Sequence, residues 1–240
     1  MRVLLTGSDG HIGRVLRERL PFEITPFDRP GCDARDPDQL LAAAPGHDAI
    51  VHLAWDTAEN HQNSEIQPDN VLMTANVYRA AHQAGVPRVV MASSVHADAY
   101  HDADPANPLD PLALPTPDGP YGASKVFLEA LGRHYAVHHG LRVFCVRFGG
   151  VLVEPQRDQD PAEQSVWLGF DDCASLVRAC LEAHVAEGHY DIVTAVSRNA
   201  EPRHSTRNTV GWAPQQKVPT IMERAVRSAR RRLTRNGQSQ

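Results

Sequence analysis

The stretch Val3-Leu4-Leu5-Thr6-Gly7-Ser8-Asp9-Gly10-His11-Ile12-Gly13 decides how this chain folds. Its apolar start is short enough for a buried strand. The three glycines, spaced GxxGxxG, mark a tight turn. Beyond them Ile12, Val15, Leu16 and Leu20 recur on one face of a helix. A glycine turn between strand and helix gathers backbone N–H groups and the positive end of a helix dipole, which suits a pyrophosphate. Gly7, Gly10, His11, Ile12 and Gly13 are therefore expected to bind a dinucleotide.

The rest of the chain repeats the alternation. Strands are expected at residues 3–5, 23–27, 48–53, 88–93, 141–147 and 190–195, and helices at 11–20, 70–84, 121–139 and 171–186. This order predicts an α/β fold, a Rossmann-type doubly wound parallel sheet with a small C-terminal substrate-binding lobe. Residues 1–150 would form the core. Residues 151–240 would form the lobe, interleaved with the last core helix and strand and ending in a basic tail. Residues 151–164 lack a regular period and read as a loop over the site. Residues 221–235, with Arg230-Arg231-Arg232, read as a basic helix facing solvent.

Asp28 ends the second expected strand, 21 residues beyond Gly7. A carboxylate there suits a ribose 2′-hydroxyl and repels a 2′-phosphate, so NAD is the expected cofactor. Arg29 is the neighbouring group that could meet a 2′-phosphate instead.

Tyr121-Gly122-Ala123-Ser124-Lys125 places a phenol and an ammonium four residues apart on one helical face. The ammonium is expected to favour the phenolate, lowering the tyrosine pKa toward that of a usable general base. The pair is expected after the fifth strand. Met91-Ala92-Ser93-Ser94-Val95-His96 closes the strand before it, at the sheet edge where open α/β folds bind ligands. There the Ser94 hydroxyl could bond a reacting oxygen. His96 is either a substrate contact or a satisfied loop histidine.

Composition narrows the class. The chain has 240 residues, a net charge of −5, 42% hydrophobic and 22% charged residues, which fits one α/β domain and gives no general reason to expect nucleic acid or an anionic membrane as partner. No apolar run approaches the ~20 residues of a membrane span. The N-terminus carries no signal-peptide pattern. Cys32, Cys145, Cys173 and Cys180 are scattered and read as thiols of a reducing compartment, so a cytoplasmic location is expected. The thirteen histidines form no ligand spacing, and no metal is expected.

Together these residues resemble the extended short-chain dehydrogenase/reductases, the NAD-dependent epimerase/dehydratase superfamily. Within it the chain looks most like uronate dehydrogenases and archaeal NAD-dependent glucose-6-phosphate dehydrogenases. The closer likeness rests on Ala92 to His96, Tyr121 to Lys125, and Trp167-Leu168-Gly169-Phe170-Asp171-Asp172. The resemblance implies oxidation at a hemiacetal carbon of a small carbohydrate. Tyr121, Lys125 and Ser94 would be catalytic. Asp33 and Ala34 would flank the adenine, Leu53 and Ala54 would lie against the cofactor, and Asn70 would join the same set. It departs from the family pattern at Val95, where asparagine is expected, at Arg147-Phe148-Gly149-Gly150, where a serine is expected, at Trp55, where a small residue is expected, and at Ala162, where an arginine would hold an anionic substrate. Arg157 is the candidate replacement for that arginine, and His96 the second substrate residue. The family's dimers imply that the helices opening at Asn70 and Tyr121 are candidates for pairing two copies. Two other readings stay open: a redox-retaining epimerase or dehydratase, which a short C-terminal region disfavours, and a nicotinamide-binding sensor, which the intact Tyr/Lys pair disfavours.

Overall fold

The computed structural model describes residues 1–62, 65–154 and 160–217. In chain order the elements are β1 (Arg2–Thr6), α1 (His11–Arg19), β2 (Glu23–Phe27), α2 (Pro37–Ala43), β3 (Ala49–His52), α3 (Pro68–Gln83) and β4 (Arg88–Ser94). Short 3₁₀ turns at Val95–Ala97 and Tyr100–Asp102 precede α4 (Pro120–His139). Then come β5 (Arg142–Phe148), β6 (Gly150–Val151), α5 (Pro161–Ser165), β7 (Trp167–Leu168), α6 (Phe170–Glu182) and β8 (Tyr190–Ala195).

Six strands pair in parallel in the order β2-β1-β3-β4-β5-β8, while β6 and β7 form a separate two-stranded pair. The chain winds outward from β1 to β2, then crosses back to β3. The sheet therefore has its switch point between β1 and β3, where a crevice opens at the strands' carboxyl ends. Both faces are covered, as near-continuous apolar strands require. On one face Val15 and Leu16 of α1 and Leu176 and Val177 of α6 pack against Val3, Leu5, Val51 and Val146. On the other, Leu40, Val77, Tyr78 and Leu128 of α2, α3 and α4 pack against Leu4, Ile50, Val89 and Val143. This is the Rossmann-type doubly wound sheet expected.

Several boundaries and one count differ from expectation. The helix α2 was not expected, yet its start is encoded: Asp36 accepts the N–H groups of Asp38 and Gln39, and Pro37 sits in the first turn. The Tyr121–Lys125 helix follows the fourth strand rather than the fifth, since β1 to β4, the four strands expected before residue 121, precede it. α6 stops at Glu182, four residues early, where Ala183 leaves the helical conformation. Residues 151–164, expected as a loop, begin in β6 and end in α5. Arg157 and the basic stretch 221–235 with Arg230, Arg231 and Arg232 lie outside the described residues. Among the described residues no helix is long and apolar enough to cross a membrane.

Candidate functional site

A cavity of about 720 Å³ opens over the switch point and runs along the carboxyl ends of β1 to β5. One end is built by the first 54 residues. Gly7, Gly10, His11, Ile12 and Gly13 line it together with Asp28, Asp33, Ala34, Leu53 and Ala54. Gly7 has φ +69°, and a side chain on it would lie 2.6 Å from the Ala54 nitrogen. A side chain on Gly13 would lie 2.3 Å from the Gly7 carbonyl oxygen. The loop is thus held close to both α1 and the end of β3, as only glycine permits. α1 has no acidic residue in its first turn, so its positive end faces the cavity uncompensated. The backbone cradle, the helix end and the carboxylate of Asp28 fit a dinucleotide.

Asp28 is fixed by its neighbours. Its Oδ2 accepts the Asp9 N–H at 2.9 Å and its Oδ1 the Arg29 N–H at 2.8 Å. Asp33 is chelated by Arg35, whose guanidinium holds its pKa below the usual carboxylate range. His11 lines the cavity, but its Nε2 pairs with the Val151 carbonyl at 2.7 Å and ties α1 to β6.

Asn70 departs from expectation. It does not line the cavity, and its buried amide is engaged by the β3–α3 loop: Oδ1 accepts the Asp56 N–H at 2.6 Å, and Nδ2 donates to the Asp56 carbonyl and to Glu59. Asn70 therefore braces that loop, because its position in the first turn of α3 points its short side chain back at it.

The other end of the cavity gathers Ser94, His96, Tyr121 and Lys125, from the end of β4 and the first turns of α4. Lys125 is almost fully buried, donates to the Ala92 carbonyl at 3.2 Å and faces the Trp55 ring at 3.2 Å from its centroid. Burial pushes its pKa down to about 7, opposed by the carboxylates of Glu59 and Glu129. Tyr121 corrects the expected direction: burial raises its pKa, and a hydrogen bond with Ser94 opposes the rise. The Lys125 amine lies 5.4 Å from the Tyr121 ring centroid and is turned toward Trp55, so desolvation outweighs its field at the phenol.

His96 completes this end. Its Nδ1 pairs with Asp118 at 2.6 Å, and its ring stacks on His61 at 4.6 Å and meets Tyr121 and Tyr100 edge-on. Tyr100 donates to Glu163 at 3.0 Å. Trp55, expected beside the cofactor in place of a small residue, lines the cavity, as do His61, Tyr100, Glu163 and Val166, which were not foreseen as site residues. Those four arrive on the β3–α3 loop, a 3₁₀ turn and the α5 segment, whose approach depends on the tertiary fold.

The comparisons with known proteins agree with this geometry. The model of the NAD dependent epimerase/dehydratase family matches residues 3–167. The chain is 34% identical to the L-arabinose 1-dehydrogenase (NAD(P)(+)) of Haloferax volcanii, across 92% of this chain and 99% of that one. It is 35% identical to the uronate dehydrogenase of Agrobacterium fabrum, across 77% and 73% of the two chains. Among solved structures, a mutant of the uronate dehydrogenase from Agrobacterium tumefaciens complexed with NAD superposes with a TM-score of 0.74, at 28% identity over 98% of this chain and 89% of that one.

Proposed function

The chain belongs to the NAD dependent epimerase/dehydratase family, and from that premise we propose that it is an NAD-dependent oxidoreductase that oxidises the hemiacetal carbon of a neutral sugar. The observation that carries this reading is the meeting of Ser94, Tyr121 and Lys125 in the same cavity as the Gly7–Gly13 loop and Asp28.

Gly7, Gly10, Ile12 and Gly13 hold the pyrophosphate in this reading, Asp28 the adenosine ribose, Asp33 and Ala34 the adenine, and Leu53 and Ala54 the middle of the cofactor. NAD, when bound, supplies the acceptor for the hydride that leaves the sugar carbon. The Tyr121 phenolate oxygen takes the proton of the anomeric hydroxyl. The Ser94 hydroxyl donates to that same oxygen and orients it. Lys125 keeps a positive charge beside the phenol, which works against the rise that burial imposes on the Tyr121 pKa. His96, locked by Asp118, contacts a further sugar hydroxyl.

A neutral substrate is favoured by the charges at the substrate end. The carboxylates of Glu163 and Asp118 stand there. Among the described residues, the guanidiniums lining the cavity are those of Arg29 and Arg35, and Arg35 is engaged by Asp33 at the opposite end. Among the described residues, a uronate or sugar phosphate would find no bidentate partner at the substrate end, and Arg157 lies outside them.

The segments 151–154, 160–168 and 196–217 are assigned to the small substrate lobe. The free state of all four cysteines supports a reducing compartment, the cytoplasm. Exposed Leu72, Phe127 and Val137 on α3 and α4 support pairing of two copies through those helices.

The test is incubation with NAD and a panel of aldoses, uronates and sugar phosphates, followed by absorbance of reduced nicotinamide. Reduction with a neutral aldose, abolished in Tyr121→Phe while NAD binding persists, is the expected result. Reduction confined to uronates or sugar phosphates would overturn the substrate class, and reduction that survives Tyr121→Phe would overturn the chemistry.

A further inference from the structure

The loop between β3 and α3 carries two residues that the reaction above leaves without a task. The Trp55 indole lies face-on to the Lys125 amine, 3.2 Å from Nζ to its centroid, and edge-on to Tyr121. Its Nε1 donates to the Glu59 carbonyl at 3.1 Å. The Glu59 side chain is fully buried. Its Oε2 accepts the Gln67 N–H at 2.8 Å and the Asn70 amide at 3.0 Å, while Oε1 is buried with no hydrogen-bond partner among the described residues. Both ends of the loop are therefore pinned, one to α3 and the other to Lys125.

We propose that Trp55 and Glu59 are positioning residues that act through Lys125, holding its side chain against Trp55 and keeping it protonated beside Tyr121. This rests on the role assigned to Lys125 above.

An ammonium has three donors, and among the described residues Lys125 has one hydrogen-bond acceptor at 3.2 Å, the Ala92 carbonyl. Burial favours the neutral amine, so the cation needs further stabilisation. The π-face of Trp55 is one source, and a desolvated indole is the best of the aromatic faces for it. The charged and titratable groups around Lys125 are Glu59 from the loop, Glu129 and Tyr121 from α4, and His52 from β3. Burial keeps His52 neutral well below its ordinary pKa. Glu129 is engaged by two hydrogen bonds from Arg147, which neutralise its charge locally. Glu59 is thus the carboxylate with an oxygen to spare. Its hydrogen-bonded grip on the loop also sets where Trp55 stands.

The chain has two lysines, Lys125 and Lys217, so the amine can be watched directly. The experiment is a pH titration of the full chain, free of added nucleotide, with isotopically labelled lysine read by NMR; Lys217→Arg assigns the signals. The expected result is a Lys125 midpoint well below the ordinary lysine value. Trp55→Leu, which keeps the site dry and removes the π-face, should lower it by a further ~1 pH unit, a tenfold change in proton affinity. Glu59→Gln should shift it in the same direction, and Trp55→Phe by less than Trp55→Leu. Midpoints that stay within about 0.2 unit of the wild type in both Trp55→Leu and Glu59→Gln would overturn the proposal. If Glu59→Gln does not fold by circular dichroism, the Trp55→Leu and Trp55→Phe pair decides. Because the readout is the amine and not turnover, it stands apart from the Tyr121→Phe assay: shifted midpoints in a protein that reduces no nicotinamide would overturn the dehydrogenase reading alone.

Discussion

Arg147 holds Glu129 through two side-by-side bonds, Nε to Oε1 and Nη2 to Oε2, each 2.8 Å. Both side chains are buried, and the same guanidinium reaches Asp98. Ser93 donates to Glu129 at 2.5 Å. The cluster thereby joins β5, α4, the end of β4 and the turn after it. It sits one residue from Ser94 in sequence and one helical turn beyond Lys125.

Breaking one side of this cluster leaves a charge buried without its partner. Arg147→Met, which leaves both Glu129 and Asp98 without their partner, is expected to destabilise the protein by about 3–5 kcal/mol, and the double variant Arg147→Met/Glu129→Leu, which leaves Asp98 alone unpaired, by less. Denaturant unfolding of the wild type, the single variants Arg147→Met and Glu129→Leu, and the double variant checks this. A double variant as unstable as the sum of its singles would show that the two residues act separately.

Asp28 is expected to set the choice of nucleotide. With Asp28→Ala the repulsion toward a 2′-phosphate goes, and Arg29, which lines the same end of the cavity, can receive one. The ratio of kcat/KM for NAD to that for NADP is expected to fall by about 10–100-fold, or ~1.4–2.7 kcal/mol. An unchanged ratio would remove Asp28 from the ribose.

Acid should unfold this protein through two neutral histidines. Burial lowers the His52 pKa from 6.5 to about 3 and the His204 pKa from 6.5 to about 4. The unfolded chain therefore binds protons at these sites from about pH 6.5 downward, while the folded chain does not until about pH 3–4. Stability is fully present above pH 6.5 and falls through that window, by on the order of 3 kcal/mol per group at pH 4. Urea midpoints measured from pH 7 to pH 4 should show this slope. It should flatten in His204→Phe, and an unaltered slope there would contradict the assignment.

Gly13 has no room for a methyl group, since both nearest atoms are backbone oxygens, of Gly7 and Ser8. Gly13→Ala is expected to cost about 1–3 kcal/mol of stability and to weaken NAD binding at least ~10-fold by forcing the loop away from α1. Calorimetric titration with NAD gives the second quantity. Binding as tight as in the wild type would mean that the loop does not carry the pyrophosphate.

Much of this architecture was legible in the sequence because its chemistry needs particular residue types at particular spacings. The glycine turn, Asp28, Ser94, Tyr121 and Lys125 are such positions, and all of them line one cavity. What was missed depends on tertiary approach. Arg147 and Glu129 are 18 residues apart and read as ordinary strand and helix charges until α4 lies across β5. Asn70 carried a family signal but braces a loop, which no spacing reveals. The direction of the Tyr121 shift was misjudged because a four-residue spacing reports proximity to an ammonium but not burial. Asp36-Pro37 did signal α2, as an N-cap followed by a first-turn proline.

The way the cavity is divided along the chain bears on how such a protein changes over time. One end is written by residues 7–54 and the other mainly by residues 94–166, on opposite sides of the switch point between β1 and β3. Mutational drift in the second segment can therefore sample new sugars while the first goes on gripping the same nucleotide. A library randomised at His96, Tyr100, Glu163 and Val166 would explore that space without touching the glycine turn, a division of labour that lets one scaffold diversify its diet and keep its currency.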